Sequence, residues 1–285
     1  MSFLSYEVVD VFTDRPFAGN PLAVVFGAEA LGKDQMQALA KEFHLSETAF
    51  VLPPTVDDAT YRLRMFTPSA ELPFAGHPSV GAAATLVRRG LIPAGTVYQE
   101  CGVGVLPLQA EEGRATLTGG TPSIGPEIDP APYVAAVGLS AADLAGPPVR
   151  IAGCGLPFPY VSVRPDAVAR AVPTAVAGVA DVYLLAWDAQ RRMAHARMFG
   201  IGLGVPEDPA TGSAALGLGV WLVGVGLLPG DGDSEYTVRQ GIEIHRPSTL
   251  ECTVSAVDNR AVRVDVTGSV VPIARGEIVI PPFVG

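Results

Sequence analysis

Apolar residues follow two periods along the chain, and the switch between them outlines its elements. Residues 5–12 alternate apolar and polar positions, and Asn20–Phe26 follows the turn at 17–20, so both are expected as strands. Lys33–Phe43 instead sets Met36, Leu39, Ala40 and Phe43 on one face of an amphipathic helix. A turn at His44, Leu45 and Ser46 leads into an apolar strand with Glu47 at its mouth, and Tyr61–Phe66 reads as another. Strands at about 96–101, 103–110 and 114–118 complete a first lobe. Residues 121–132 are proline-rich and expected as a linker. The second lobe repeats the mixture, with strands near 149–152, 160–163, 182–187 and 195–199 and a short helix after Pro165. Four strand-like runs close the chain, the last at 277–280. Helices do not alternate regularly with strands, so the expected class is α+β and barrel-like rather than doubly wound.

Two stretches break this pattern in the same way. Residues 72–79 (LPFAGHPS) enter an apolar helical run that stops at Gly90-Leu91-Ile92-Pro93. Residues 205–213 (VPEDPATGS) enter another that stops at Gly226-Leu227-Leu228-Pro229. Aligning the stops pairs Gly76 with Gly212 and His77 with Ser213 without a gap. Upstream, Arg64-Met65-Phe66 matches Arg197-Met198-Phe199, with three extra residues in the second copy. Two matched segments suggest a duplicated lobe, in which 60–93 and 193–229 are equivalent strand–turn–helix units. A glycine turn lets backbone amides approach a ligand, and the first amides of a helix carry partial positive charge, so each copy is a candidate anion site. Either copy alone reads better as an ordinary helix start; the pair, with His77 and Asp208 beside them, reverses that preference.

Composition narrows the class. Hydrophobic residues make up 48% and charged ones 17%, with 32 glycines and 26 prolines, which describes a turn-rich globular chain. At 285 residues, two lobes can each bury a core. The net charge of −10 and the lack of a basic cluster argue against nucleic-acid binding. An anion site would therefore depend on local dipoles. Residues 209–230 carry no charge until Asp231, but interior glycines and the lack of a basic flank favour a buried helix over a membrane span. No basic or apolar leader opens the chain, so a cytoplasmic protein without membrane attachment is expected. Cys101, Cys154 and Cys252 lack metal-ligand spacing, and no HExxH, GxGxxG or GxxxxGK[ST] pattern occurs, so no metal and no cofactor are expected.

The motifs VDVFT (9–13), GNP (19–21), LSET (45–48), FTP (66–68), AGHP (75–78), EDPATGS (207–213), QG (240–241) and RPS (246–248) resemble the PhzF, or phenazine-biosynthesis-like, family over essentially the whole chain. The resemblance implies a diaminopimelate-epimerase-like fold of two pseudo-symmetric lobes, each a mostly antiparallel β-barrel around a central helix. It implies an active site between the lobes, a homodimer and no cofactor. The lobes would span 1–118, joined by a final strand at about 272–285, and 119–271. The implied reaction isomerises trans-2,3-dihydro-3-hydroxyanthranilate, a small anionic substrate, to a ketone by proton transfer.

On that resemblance Glu47 is the catalytic carboxylate, with His77 and Asp208 completing the catalytic set. Asn20, Ser46, Gly76, Gly212 and Ser213 fall to substrate binding. Burial would raise the pKa of Glu47 toward that of a general base, and a helix N-terminus would favour neutral His77. Asp208 would bind a substrate amine or hydroxyl, and the amides of Gly212 and Ser213 a carboxylate. Taken singly, Asp208 also reads as a helix-start acid, Ser213 as a cap, and His77 and Asn20 as turn residues. Related epimerases and racemases place a thiol before each helix-start glycine. Here those positions hold Ala75 and Thr211, which disfavours a two-thiol amino-acid racemase. A non-catalytic small-anion binding protein is the remaining alternative, against which stand Glu47, His77 and Asp208.

Overall fold

A computed structural model describes residues 2–201 and 205–282. The chain divides into two compact units, Met1–Leu117 with Thr267–Gly285, and Thr118–Val266. The first unit contains β1 (Phe3–Val11), β2 (Asn20–Phe26), α1 (Lys33–Phe43), β3 (Glu47–Leu52), β4 (Tyr61–Phe66) and the two-residue β5 (Glu71–Leu72). It continues through α2 (Gly76–Arg88), β6 (Gly95–Cys101), β7 (Gly104–Glu111) and β8 (Arg114–Thr118). Pairing runs β1–β2 antiparallel, β2–β3 parallel, β3–β4 antiparallel, β4–β6 parallel, then β6–β7 and β7–β8 antiparallel. The strand Arg260–Val279 pairs with both β1 and β8 and closes the barrel.

Parallel neighbours need a crossover, and each parallel step here has its helix. The β2–β3 step carries α1, whose apolar stripe of Met36, Leu39 and Ala40 packs with Leu4, Val25, Phe50 and Phe66. The β4–β6 step carries α2, which is buried from Gly76 to Leu86. An amphipathic helix covers a face, whereas one apolar all round must sit in a core.

The second unit contains β9 (Pro122–Glu127), α3 (Ala131–Ala136), β10 (Arg150–Cys154), β11 (Pro157–Ser162), α4 (Pro165–Arg170), β12 (Val182–Asp188) and β13 (Met193–Gly200). It continues through β14 (Val205–Asp208), α5 (Gly212–Gly224), β15 (Gly232–Gln240), β16 (Ser248–Val257) and the first part of β17 (Arg260–Val279). From β10 to β16 the pairing is antiparallel (β10–β11), parallel (β11–β12), antiparallel (β12–β13), parallel (β13–β15) and antiparallel (β15–β16). That is the order seen from β1 to β7. Here α4 spans the first parallel step and α5, buried from Gly212 to Val223, the second. The expected α+β class, with a central buried helix in each unit, is what the structure shows.

The two central helices also end alike. Gly90 and Gly226 adopt left-handed φ values of 67° and 76°. Leu91 N donates to Leu86 O and Gly90 N to Val87 O; Leu227 N donates to Leu222 O and Gly226 N to Val223 O. Both are Schellman ends, which a glycine permits and which satisfy terminal carbonyls without help from outside the helix. The helix ends of the two strand–turn–helix units are therefore equivalent in detail.

Two expectations fail. Residues 121–132 are not a free linker: 122–127 form β9, paired antiparallel with β10, and the Asp129 carboxylate accepts from Ala131 N at 3.0 Å to start α3. Its prolines are tolerated because Pro122 opens the strand and Pro126 lies where the register slips. Among the described residues the closing region holds three strands rather than four. The run at 277–280 continues the 20-residue β17, which carries a β-bulge next to Pro272, opposite Val8 and Val9. No helix among the described residues is long and apolar enough to cross a membrane, and α5 has only 13 residues.

Close packing around α5 gives a stability test. The Tyr160 hydroxyl donates to Ala214 O and the Tyr236 hydroxyl to Ala215 O, both at 2.7 Å. A Cβ on Gly217 would collide with the Tyr160 hydroxyl. Helix propensity favours Gly217→Ala by about 1 kcal/mol. Overpacking opposes it by about 1–3 kcal/mol, and the displaced phenol loses about 1 kcal/mol more. Gly217→Ala is expected to destabilise the protein by about 1–3 kcal/mol, read as a lower urea midpoint at unchanged m. A midpoint at or above wild type would show that the tyrosine contact does not set the outcome.

Candidate active site

In the first unit, the parallel register Leu22↔Glu47 brings the starts of β2 and β3 side by side. His44, in the left-handed region at φ 51°, turns the chain from α1 into β3. This turn delivers Ser46 and Glu47 next to Asn20, which is fully buried. Ser46 Oγ donates to Asn20 Oδ1 at 3.0 Å, and Asn20 Nδ2 lies 3.4 Å from His77 Nδ1. His77 is buried, with its Nδ1 3.5 Å from Glu47 Oε2. Four sequence candidates, Asn20, Ser46, Glu47 and His77, thus form one contiguous polar cluster.

Burial pushes the Glu47 carboxyl up from 4.5 to about 7, with the Ser46 hydrogen bond pulling the other way. A carboxyl near 7 can both take and give a proton at neutral pH. Gly76 and His77 open α2, whose N-cap residue, Ala75, offers no side-chain cap. Pro78 contributes no N–H, so the amides of Gly76 and His77 present the positive end of the helix.

In the second unit, Asp208 ends β14 and Thr211 is the N-cap residue of α5, which Gly212 and Ser213 open. Both Gly212 and Ser213 are buried. Thr211 Oγ1 donates to Asp208 Oδ2 at 2.5 Å. Gln240 Nε2 donates to Asp208 O at 2.8 Å and to Thr211 Oγ1 at 3.0 Å. Ser248 Oγ donates to Pro209 O at 2.9 Å. Gln240 and Ser248 face each other across the β15–β16 ladder. Neither was among the site residues expected from the sequence, although both lie in motifs that carry the family resemblance.

A second feature missed in the sequence is duplicated. Arg64 Nε and Nη2 donate to Glu71 Oε1 and Oε2 at 2.6 and 3.0 Å. Arg197 Nε and Nη2 donate to Glu207 Oε1 and Oε2 at 2.9 and 2.6 Å. Glu71 and Glu207 stand at the same distance in sequence before Gly76 and Gly212, which was the available signal. Each fork ties the strand to the short strand that leads into the helix turn. Among the described residues no cluster of three or more His, Cys, Asp or Glu side chains is placed to hold a metal.

The shift of Glu47 fixes the sign of a pH effect. With the folded value near 7 and the ordinary value at 4.5, the folded state keeps a proton that the unfolded chain has lost. The contribution is fully present below about 4.5 and is lost as pH rises through about 7, up to about 3 kcal/mol in all. Glu47→Gln, which keeps the uncharged shape, is expected to lose this fall between pH 4.5 and 7 in urea unfolding. Parallel wild-type and variant stability profiles would exclude a raised carboxyl at this position.

The phenazine biosynthesis-like protein model (PhzC-PhzF) matches residues 9–276. An uncharacterized isomerase of Mesorhizobium japonicum is 33% identical over 98% of this chain and 100% of its own length. The trans-2,3-dihydro-3-hydroxyanthranilate isomerase of Pseudomonas aeruginosa is 32% identical over 95% of this chain and 98% of its own. The crystal structure of a Bacillus anthracis phenazine biosynthesis protein of the PhzF family superposes with a TM-score of 0.88 at 27% identity, covering 98% of this chain and 100% of that one. With nearly its whole length matched and both central helices in place, the chain belongs to the phenazine biosynthesis-like (PhzC-PhzF) family and is a PhzF-type isomerase.

Proposed function

We propose that this isomerase moves a proton within a small carboxylate substrate of the dihydrohydroxyanthranilate class, using Glu47 as its general acid/base and no cofactor. The observation that carries the reading is the Glu47 carboxyl itself, held near 7 by burial and 3.5 Å from His77 Nδ1. The similarity to the Pseudomonas aeruginosa isomerase supports the substrate class. As a carboxylate, Glu47 removes a proton from a substrate carbon; as the acid so formed, it returns the proton to another position of the delocalised intermediate. His77, held through Asn20 and Ser46, hydrogen-bonds the group on which charge develops. Asp208 takes the substrate's amine or hydroxyl, and the amides of Gly212 and Ser213 its carboxylate.

General acid–base groups typically contribute about 10²–10⁴-fold, and a sole proton carrier belongs at or above the upper end. Glu47→Gln is expected to lose turnover of trans-2,3-dihydro-3-hydroxyanthranilate by about 10⁴-fold or more while still binding 3-hydroxyanthranilate. Substrate deuterated at the migrating position should carry part of its label into the product in ordinary water, because one enclosed carboxyl both removes and returns it. Near-wild-type turnover by Glu47→Gln would refute the role.

A further inference from the structure

We propose that Thr211 and Gln240 are positioning residues that hold the Asp208 carboxylate in one orientation at the start of α5. The inference rests on the reading of Asp208 as a substrate-binding group. An ionised carboxylate only accepts, so the 2.5 Å contact makes the Thr211 hydroxyl the donor to Asp208 Oδ2. With its proton committed, Thr211 Oγ1 accepts from Gln240 Nε2 at 3.0 Å. The other Nε2 proton goes to Asp208 O at 2.8 Å.

On the far side, Gln240 Oε1 accepts from the Tyr183 hydroxyl at 3.3 Å and from Thr211 N at 3.5 Å. The amide has one workable orientation. Flipped, it would set its oxygen against the Asp208 carbonyl, two acceptors at hydrogen-bond distance. Gln240 and the Tyr183 ring are fully buried, so water does not substitute for these bonds. Ser248 Oγ, opposite Gln240 in the ladder, fixes the next carbonyl, Pro209 O.

The behaviour of Thr211 separates this arrangement from ordinary helix capping. A threonine at the N-cap usually accepts from an amide in the first turn. The Thr211 side chain makes no such bond to α5, and its hydroxyl points back to Asp208. The helix start gives up a cap, while the carboxylate gains a fixed donor.

The test compares Thr211→Val, which keeps the shape without the hydroxyl, with Thr211→Ser, which keeps the hydroxyl, and with Gln240→Met. Crystal structures of the variants should show the carboxylate in its wild-type place with serine, and turned away or disordered with valine and methionine. On trans-2,3-dihydro-3-hydroxyanthranilate, kcat/KM should fall about 10- to 100-fold in the valine variant, the range for a lost hydrogen bond to a charged group. The serine variant should restore it, which a purely structural role of the threonine methyl would not do. If Gln240→Met does not fold, the valine and serine pair still decides. A carboxylate that stays fixed in Thr211→Val overturns the positioning, whatever the turnover. A displaced carboxylate with unchanged turnover upholds the positioning and instead overturns the reading of Asp208.

Discussion

A helix enclosed by a barrel must have its terminal backbone groups met close at hand, and much of this structure follows from how α2 and α5 meet that constraint. At their C-termini both use a left-handed glycine and turn their carbonyls onto their own chain. Near their starts, carbonyls are met by side chains: Ser79 Oγ donates to Ala75 O, and Tyr160 and Tyr236 donate to Ala214 O and Ala215 O. At the N-termini, by contrast, neither N-cap residue supplies a side-chain cap. The positive end of each helix is thus left for other groups, and each unit gathers its polar candidates there.

The turn that feeds each helix has to be held for this to be useful. The Arg64–Glu71 and Arg197–Glu207 forks do this in both units, each with its guanidinium over a phenylalanine ring, at 5.3 Å from Phe66 and 4.7 Å from Phe199. The second fork is the more deeply buried, with side chains 7% exposed on both sides. A buried ion pair is tolerable only when its remaining donors are also satisfied. Arg197 meets that condition through two further bonds from Nη1, to Val168 O and Ala171 O. The first fork is partly exposed and shares Glu71 with Lys33. One geometry has been kept while its surroundings diverged, as expected of a duplicated element whose two copies acquired different tasks.

The parts of the fold legible in the sequence are those written in local periodicity. The stripe of α1 and the glycine-bounded runs of α2 and α5 gave their elements directly, and Glu47 at the mouth of a strand gave the central candidate. What stayed hidden depends on contacts distant in the chain. Nothing local to Gln240 says that its amide will reach Asp208 and Thr211, because a glutamine in an alternating strand reads like any other. The contact of Asn20 with His77 spans 57 positions and exists only because the start of α2 packs beside the start of β2. The misread linker has another cause. Proline was read as a linker signal at 121–132, whereas β9 accommodates it at a strand start and a register slip.

The residues before the two helix-start glycines narrow where a proton can be handled. Ala75 has no functional group, and the Thr211 hydroxyl is committed as a donor to a carboxylate. Neither helix start therefore supplies the acid or base that a thiol at the same place would. On the proposed reading that task falls, in the first unit, to a residue on a neighbouring strand, because β3 sets Glu47 beside His77 at the start of α2. Burial there raises the carboxyl to about 7, high enough to hold a proton and low enough to release it. The same burial leaves Glu47 Oε2 with no hydrogen bond among the described residues, although His77 Nδ1 lies 3.5 Å away and Ser46 bonds the carboxyl. On the proposed reading, the family's isomerisation and the absence of thiols have one physical origin. On that reading the acid/base sits on the strand, and the helix start is left to bind.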